Sequence, residues 1–512
     1  MHYRFLGKVL PVLFLTVGFL SCSPEDDPSV KPEDNRFTKV VLTEGMDEPM
    51  EMTFLPNNRV LIVERKGGVK IFDENTGEMT LVATIPVNTK YTNKAGVVRE
   101  AEEGLMGVIA HPDYATNNWV YLYYADPTDS KHVLARYELK GNELVESSKK
   151  IVLEVPTQRQ ECCHTGGGMV FDAEGNLYLT VGNNTVNPRE GSSNLDERPG
   201  MENADDQRAP GNTNDLRGKI LRIHPEADGT YTIPEGNLFP PGTEKTRPEI
   251  YTMGHRNPWR PTLDSKTGYL YWGEVGPDAS VDSIWGPKGY DEFNQAKGPG
   301  FFGWPYFIGD NFPYNRHNHA DSSYGAPYDV NNPVNESVNN TGLRELPKPV
   351  VPAMIYYPYG ASEKFPELGS SGRSATGGPV FRKADFKKDA PYTFPAYYDG
   401  KWLIVDAASP AKADELVGML MKSVEGVAMA LVKTKISPTV AMTAWLAEND
   451  NPPPFTVDQD CELKSRGEQA ATVRYVKHSL ESEEIAKHIK GGKDVTKLAM
   501  TWADKVSFVL HE

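Results

Sequence analysis

The stretch from Glu161 to Gly167 (ECCHTGG) places one histidine, His164, between a pair of cysteines and a pair of glycines. Imidazole titrates near neutral pH, so a histidine can remove a proton from a substrate or bind a ligand. A histidine in this setting can also be purely structural. The run that follows, Gly168 to Thr185, alternates apolar and polar residues around a turn, as a half-exposed hairpin does. We therefore expect His164 at the mouth of a β-sheet.

The chain has four cysteines, of which Cys162 and Cys163 are adjacent. In an oxidising compartment these two can form a vicinal disulfide that fixes the loop ahead of His164. The sequence contains neither a CxxCH haem motif nor a CxxC zinc pattern. A closed metal site at the cysteine pair is therefore not expected.

Short strands joined by turns must position these residues. From residue 40 to about 400, a turn rich in Asp, Asn, Pro or Gly repeatedly accompanies a pair of apolar-alternating strands. Examples are Phe54–Phe72, His111–Tyr124, Phe171–Gly182, Leu263–Gly276 and Val380–Val405. Units of this kind predict the blades of a β-propeller, although a β-sandwich would show a similar period.

Polar clusters lie in the loops of these units, at Glu102–Gly104, His164, Gly254–Pro258 and Glu274–Asp278. Residues that are scattered in sequence but placed alike in each unit converge on one face of the fold. The sequence therefore predicts one site, built from several blades.

The composition favours β-structure. Within 512 residues, 45 Gly, 40 Pro and 10% aromatic residues indicate many short strands, so we predict an all-β fold class. The length allows about two or three domains. The net charge of −16 argues against a general polyanion binder, because such binding depends on Lys and Arg at phosphates.

Residues 1–22 are typical of an export signal. Basic residues precede an apolar run, Val9 to Leu20, that is too short for a membrane span and ends at Ser21-Cys22. This resembles a bacterial lipobox, so we expect a lipid anchor on Cys22; an ordinary signal peptide is the alternative. Residues 23–37 form an acidic tether similar to those of surface lipoproteins. We predict an outer-membrane lipoprotein of the cell envelope, periplasmic or surface-exposed, that contacts the membrane only through its lipid.

Five motifs occur in order along the chain: EEGLMGVIAHPDY (102–114), CCHTGG (162–167), LRGKILRI (216–223), GHRNP (254–258) and GYDEFNQAKGPGFFGWP (289–305). Together they resemble the glucose/sorbosone dehydrogenase family, over about residues 38–401. The resemblance implies a six-bladed β-propeller that oxidises a sugar with pyrroloquinoline quinone (PQQ) and calcium. Because a haem motif is missing, the electrons would pass to a separate acceptor.

The resemblance also implies roles for individual residues. His164 would be the general base, and Arg256 and Asn257 would contact the quinone. An arginine there would offset negative charge that develops on the reduced cofactor. The alternative is that Arg256 pairs with a structural carboxylate.

Calcium ligands are implied in the same way. The backbone carbonyls of Gly276 and Pro277 would hold the cofactor calcium, and Asp291 and Glu292 would lie near a second, structural calcium. Oxygen ligands, carbonyls included, are those that calcium prefers. The alternative is a Gly-Pro step that only turns the chain.

The chain departs from the family pattern at three places. Cys163 stands where glucose-oxidising members have Asp, and Glu102, assigned here to the cofactor contacts, stands where they have Gln. The last blade, with its basic cofactor contacts, should follow residue 401 and is missing. Arg373 is assigned as one surviving cofactor contact.

Beyond Trp402 the sequence changes character. Helical spacing predicts one helix that includes Leu416 to Val424, and a second helix is predicted from Ser482 to Ile489. Residues 402–512 resemble part of the RdgC family, recombination-associated DNA-binding proteins, so we predict a small α+β fragment. We interpret the change near residue 402 as a fused reading frame or an assembly join; a true recombination event would look identical.

Three functions are consistent with the sequence. The first is PQQ- and calcium-dependent sugar oxidation, weak or absent because a missing blade would expose a sheet edge and remove cofactor contacts. The second is a propeller that binds glycans without turnover. The third is DNA binding by the tail through Lys487, Lys490, Lys493 and Lys497, although interspersed acidic residues favour a solvated helix face.

Overall fold

A computed structural model describes residues 37–38, 42–43, 45–185, 193–368, 373–387, 393–407, 419–424, 427–434 and 447–448. Several predicted features lie outside these residues. They are the expected export signal with Cys22, most of the expected tether, Cys461, the helix expected at 482–489 and the four tail lysines. No helix in the described ranges is long and apolar enough to cross a membrane.

The first sheet, blade 1, shows how the sequence pattern builds the fold. Its four antiparallel strands follow chain order: Pro49–Leu55, Arg59–Glu64, Gly68–Asp73 and Glu78–Thr84. The first turn contains Asn57 and Asn58, both at positive φ, which asparagine tolerates better than most residues. Short turns of this kind keep consecutive strands paired as neighbours.

Three further sheets repeat this arrangement. Blade 2 comprises Leu105–Ala110, Trp119–Ala125, Lys131–Lys140 and Glu143–Pro156. Blade 3 comprises Gly166–Phe171, Leu177–Val181, Lys219–Pro225 and Ile250–Met253, extended by Gly300–Phe301 and by Tyr231–Thr232. Blade 4 comprises Pro258–Leu263, Leu270–Glu274, Asp291–Ala296 and Ile355–Tyr357.

The remaining regular elements are short. In the described residues, two-stranded sheets are formed by Phe37–Thr38 with Ala447–Glu448, Lys90–Thr92 with Val98–Glu100, Phe307–Ile308 with Phe312–Pro313, and Asn315–Asn318 with Ser323–Pro327. The α-helix is Tyr114–Asn117, and 3₁₀ turns are Glu202–Ala204, Asp206–Arg208, Pro366–Leu368, Lys383–Asp385 and Ala396–Tyr398. The described part of the chain is therefore nearly all β, as predicted.

The four blades form a propeller-like arrangement in which the first strands of successive blades pack side by side. The backbones of blades 2 and 3 approach each other closely at Gly107, because a Cβ added there would lie 1.9 Å from the Gly167 carbonyl oxygen of blade 3. Across the arrangement, Arg260 in the first strand of blade 4 pairs with Glu51 in the first strand of blade 1. These contacts confirm the predicted propeller architecture.

The hairpin after His164 is confirmed, but its predicted half-exposure is wrong. Gly166–Phe171 pairs antiparallel with Leu177–Val181, and all five residues of Leu177–Val181 are buried. The reason is that this strand lies inside blade 3, between Gly166–Phe171 and Lys219–Pro225, and blade 3 packs against its neighbours.

A fifth sheet follows blade 4 and corrects two expectations. It contains Ala375–Thr376, Val380–Phe381, Lys401–Ala407, Val427–Thr434 and Met419–Val424. Lys401–Ala407 pairs in parallel with Val427–Thr434, so the edge expected to be exposed beyond residue 401 is covered. Residues 419–424 form a strand, so the helix predicted there is wrong. A hairpin with Val427–Thr434 supplies backbone partners that override the helical spacing.

Candidate active site

Five of the predicted site residues lie just before the first strands of successive sheets. Glu102, His164, Arg256 with Asn257, and Arg373 precede Leu105–Ala110, Gly166–Phe171, Pro258–Leu263 and Ala375–Thr376, respectively. Because these first strands are neighbours around the propeller, their starting ends bring residues far apart in sequence to one end of the fold.

His164 is buried and has a positive φ of 64°. Its backbone N–H donates to the Glu102 carboxylate at 2.8 Å, which joins blades 2 and 3. Gly182 permits this geometry, because a Cβ there would lie 2.2 Å from the His164 carbonyl oxygen. Strand ends packed this tightly hold the imidazole in place.

A buried network fixes the His164 tautomer. Nδ1 of His164 lies 2.7 Å from Oδ1 of Asn183, and Nδ2 of Asn183 donates to both carboxylate oxygens of Asp206, at 2.9 and 3.0 Å. Trp304 Nε1 donates to Asp206 as well, at 2.8 Å. Because Asn183 turns its NH₂ towards Asp206, its oxygen accepts from Nδ1–H, and Nε2 of His164 keeps its lone pair.

The network also sets the charges. Burial and then the positive charge of Arg256 hold the pKa of His164 well below its ordinary value, although the hydrogen bond to Asn183 opposes this shift. Burial raises the pKa of Asp206 to about 6. At neutral pH, His164 is therefore an uncharged base and Asp206 a carboxylate.

Asn183 and Asp206 were not among the residues predicted from the sequence. Asn183 lies just after strand Leu177–Val181, at a blade position comparable to that of Glu274–Asp278 after its own strand. That equivalence could have revealed Asn183. Asp206 lies in a 3₁₀ turn between strands, where the blade pattern offers no guide.

Glu102 and the cysteine pair border His164 on the side open to solvent. Cys162 and Cys163 are disulfide-bonded and half-buried, and their sulfurs and the Glu102 carboxylate lie within 4.8 Å of one another. The Glu102 side chain is exposed, yet surrounding protein desolvates its carboxylate enough to raise its pKa.

Arg256 and Asn257 belong to the same end of the fold. The Arg256 guanidinium is buried and donates through Nη1 to the Val275 carbonyl at 2.8 Å, and Asn183 N–H donates to the Arg256 carbonyl at 2.9 Å. Asn257 Oδ1 accepts from Gly166 N–H at 3.1 Å. The pair predicted to contact a quinone is thus linked to the His164 loop.

The residues predicted to hold the cofactor calcium have other partners. The Pro277 carbonyl accepts from the Arg373 guanidinium, and Arg373 Nη1 lies 3.2 Å from Asp291 Oδ1. The N–H of Gly276 donates to Asp291 Oδ1 at 3.0 Å. An oxygen that faces a guanidinium is not arranged as a metal ligand, so the Pro277 carbonyl and the Asp291 carboxylate do not fit a calcium site.

Glu292, predicted to lie near a structural calcium, is held by protein donors. Its oxygens accept from Gly309 N–H at 2.6 Å and from Asn294 Nδ2 at 3.1 Å. Burial, and then the negative charge of Glu274, raises the pKa of Glu292.

Comparison with known proteins identifies the family. The family model described as Glucose / Sorbosone dehydrogenase matches residues 46–338, more than half of the chain. The chain belongs to the glucose/sorbosone dehydrogenase family.

Among solved structures, the chain is similar to the soluble aldose sugar dehydrogenase of Escherichia coli. The two share 19% identity with a TM-score of 0.49, and the match covers 77% of this chain and 88% of that one. It is also similar to the PQQ-bound aldose sugar dehydrogenase of Streptomyces coelicolor, with 25% identity, a TM-score of 0.39, and coverage of 54% and 70%. Neither TM-score reaches 0.5, so membership in the glucose/sorbosone dehydrogenase family rests on the sequence match.

The last part of the chain has a different relationship. The RdgC family model matches residues 392–512. Recombination-associated protein RdgC of Herminiimonas arsenicoxydans is 56% identical over 111 residues, which are 22% of this chain and 37% of that protein. The protein of the same name from Bordetella pertussis is 50% identical over 111 residues, with the same coverage. The chain thus spans little more than a third of the length of these relatives.

Proposed function

We propose that this member of the glucose/sorbosone dehydrogenase family oxidises a hydroxyl of a sugar, with His164 as the base and PQQ as the cofactor. The observation that supports this most is the His164–Asn183–Asp206 network. It leaves an uncharged imidazole with Nε2 as the basic atom, next to the exposed side chain of Glu102. Removal of a hydroxyl proton needs such a base.

The charges around the site suit an anionic quinone cofactor. Arg256 and Arg373 are both buried guanidinium groups near the starting ends of adjacent sheets. Guanidinium groups bind carboxylates and stabilise oxyanions, so these two would hold PQQ. When bound, PQQ supplies the quinone that accepts hydride from the sugar.

The chain's own residues have distinct parts in this reaction. Nε2 of His164 takes the hydroxyl proton, Asn183 holds the Nδ1 proton in place, and Asp206 holds the Asn183 amide. Arg256 stabilises negative charge as the cofactor is reduced. The resemblance also predicts calcium, but because the Pro277 carbonyl and the Asp291 carboxylate do not fit it, no step is assigned to it. The electrons pass to a separate acceptor.

The test is PQQ-dependent dye reduction by the purified 512-residue protein with a panel of aldoses. Replacing His164 by Ala should lower kcat by about 10²- to 10⁴-fold, the usual contribution of a general base. His224→Ala is the matched control, because this histidine also bonds an asparagine in blade 3 but lies at the other end of the blade. Sugar binding without turnover in the unchanged protein would instead support a glycan-binding propeller.

We further propose that turnover is weak. The fifth sheet takes two of its strands from residues 419–434, within the segment that matches RdgC, in place of strands of a dehydrogenase blade. Cofactor contacts expected from the last blade would then be missing. Turnover that reaches the rate of an intact family member would contradict this part of the proposal.

Localisation and the tail are separate proposals. We propose that the chain is exported and lipidated at Cys22; Cys22→Ala should abolish labelling with a radioactive fatty acid.

The match to RdgC over residues 392–512 favours a second candidate function, DNA binding. Salt-dependent retardation of duplex DNA by the full chain would support it, and a gel without retardation at low salt would exclude it.

A further inference from the structure

Arg373 contacts two of the four residues from which calcium ligands were expected. Its guanidinium donates to the Pro277 carbonyl through Nη2, and its Nη1 lies 3.2 Å from Asp291 Oδ1. The side chains of Arg373 and Asp291 are 1% and 0% exposed. The positive charge at this point is thus supplied by the chain itself, out of contact with solvent.

The rest of the Asp291 carboxylate is also engaged. Oδ1 accepts from Gly276 N–H at 3.0 Å, and Oδ2 accepts from Ala375 N–H at 2.8 Å. Calcium requires about six to eight oxygen ligands with lone pairs directed at the ion. Here the lone pairs of Asp291 are directed at N–H donors, and a divalent cation beside the Arg373 guanidinium would be repelled.

We infer that Arg373 takes the place of the cofactor calcium expected at the Gly276-Pro277 step, and that its charge is balanced by Asp291, which was expected near the second calcium. Its planar fork binds a carbonyl and a carboxylate at once, which an ammonium group would not do equally well. It thereby joins the loop after the second strand of blade 4 to the start of the fifth sheet. The catalytic consequence rests on the proposed function: the site assembles and binds PQQ without calcium.

The first experiment measures the thermal stability of the full chain after dialysis against a chelator, with and without added calcium. If Arg373 is the internal cation, Tm should be the same with and without added calcium. A calcium ion bound well above its Kd would raise Tm by several degrees. A calcium-dependent rise in Tm that Asp291→Asn abolishes would overturn the inference. A rise that Asp291→Asn leaves intact comes from other ligands and supports it.

A second experiment examines the cofactor-loaded state. PQQ binding is followed by quenching of tryptophan fluorescence in chelator and in calcium, and the two affinities should agree within about twofold. A loss of tenfold or more in chelator would overturn the inference. Arg373→Gln should weaken PQQ binding in chelator, because it removes the internal cation, and recovery in calcium would show that the ion can take the place of the guanidinium. An Arg373→Gln variant that binds PQQ in chelator as tightly as the unchanged protein would overturn the inference.

The two proposals fail in different ways. If PQQ fails to bind under either condition, the proposed function fails, and the Tm comparison still decides whether Arg373 replaces calcium. If sugar oxidation is observed but requires calcium for PQQ binding, the proposed function stands and the role of Arg373 falls.

Discussion

Nδ1 of His164 lies 2.7 Å from Oδ1 of Asn183, and this contact decides which nitrogen of the imidazole is basic. The Asn183 amide is not free to rotate, because its NH₂ group bonds both oxygens of Asp206. A carboxylate therefore acts on the base through an amide. The imidazole is oriented without a negative charge in direct contact, which is consistent with its low pKa.

Replacing Asn183 by Ala should lower kcat by roughly 10²-fold, because a base displaced by about 1 Å loses catalytic efficiency on that scale. The substrate does not contact Asn183 in this scheme, so KM should change little. Steady-state kinetics of dye reduction separate the two parameters.

Blade 3 provides a matched control for this substitution. Asn176 donates to Asp172 at 2.8 Å and lies 3.1 Å from Nδ1 of His224, the same three residue types at the other end of the blade. Asn176→Ala should leave kcat unchanged. Equal losses in the two variants would mean that the Asn183 effect reflects the folding of blade 3 and not the base.

Turnover should fall as the pH is lowered through about 6, because Asp206, whose pKa is raised to about 6, then becomes protonated. A neutral Asp206 no longer holds the Asn183 amide in one orientation. His164 is not the source of this limb, since its pKa lies well below its ordinary value and the base stays unprotonated at pH 6.

The pH profile of kcat for Asp206→Asn tests this assignment. The variant should have a lower plateau, and its acid limb should move to lower pH, where His164 itself titrates. An acid limb that stays near pH 6 in the variant would assign that titration to another group.

The sequence predicts the blades better than the contacts within the site. Alternating strands and turn residues were enough for blades 1 to 4, and the CCHTGG and GHRNP motifs located His164 and Arg256. The hydrogen bonds of His164 depend on Asn183 and Asp206, 19 and 42 residues further on, which only the folded blade brings together. Local spacing carries no such information.

Two wrong predictions have the same cause. Apolar spacing near residue 420 suggested a helix, but Met419–Val424 pairs with Val427–Thr434 and joins a sheet. Leu177–Val181 alternates as a half-exposed strand would, yet the packing of blade 3 against neighbouring blades buries both its faces. In each case tertiary contacts outweigh the local pattern.

Breaking the Cys162–Cys163 disulfide should slow turnover. The pair directly precedes His164, and its sulfurs lie within 4.8 Å of the Glu102 carboxylate that holds His164 N–H. A dithiol reductant should therefore lower kcat of the unchanged protein by about tenfold to a hundredfold, through misplacement of the base.

The serine variants identify the bond responsible. The double variant Cys162→Ser, Cys163→Ser should be as slow as the reduced protein and insensitive to reductant, whereas Cys461→Ser should behave as the unchanged protein. A protein whose kcat does not respond to reductant, although a thiol assay shows both cysteines reduced, would contradict the expected role of the disulfide.

Asp264 and Arg382 should contribute most to the attachment of the fifth sheet. Arg382 donates through Nε and Nη2 to the two oxygens of Asp264, both at 2.6 Å, and the pair is buried. Asp264 follows the first strand of blade 4, and Arg382 follows Val380–Phe381. Removing one partner of a buried pair leaves an uncompensated charge, so Asp264→Asn should lower the free energy of unfolding by about 3–5 kcal/mol.

Urea unfolding of four proteins tests this: the unchanged chain, Asp264→Asn, Arg382→Met, and the double variant Asp264→Leu, Arg382→Met. The double variant should lose less stability than either single change, because no buried charge is left alone. Arg316 and Glu336 form an exposed control pair, 2.7 Å apart, whose disruption should cost less than about 1 kcal/mol. If Asp264→Asn costs no more than disruption of this exposed pair, the fifth sheet is held to blade 4 mainly by apolar packing, in which Trp402 contacts Tyr271 and Phe293.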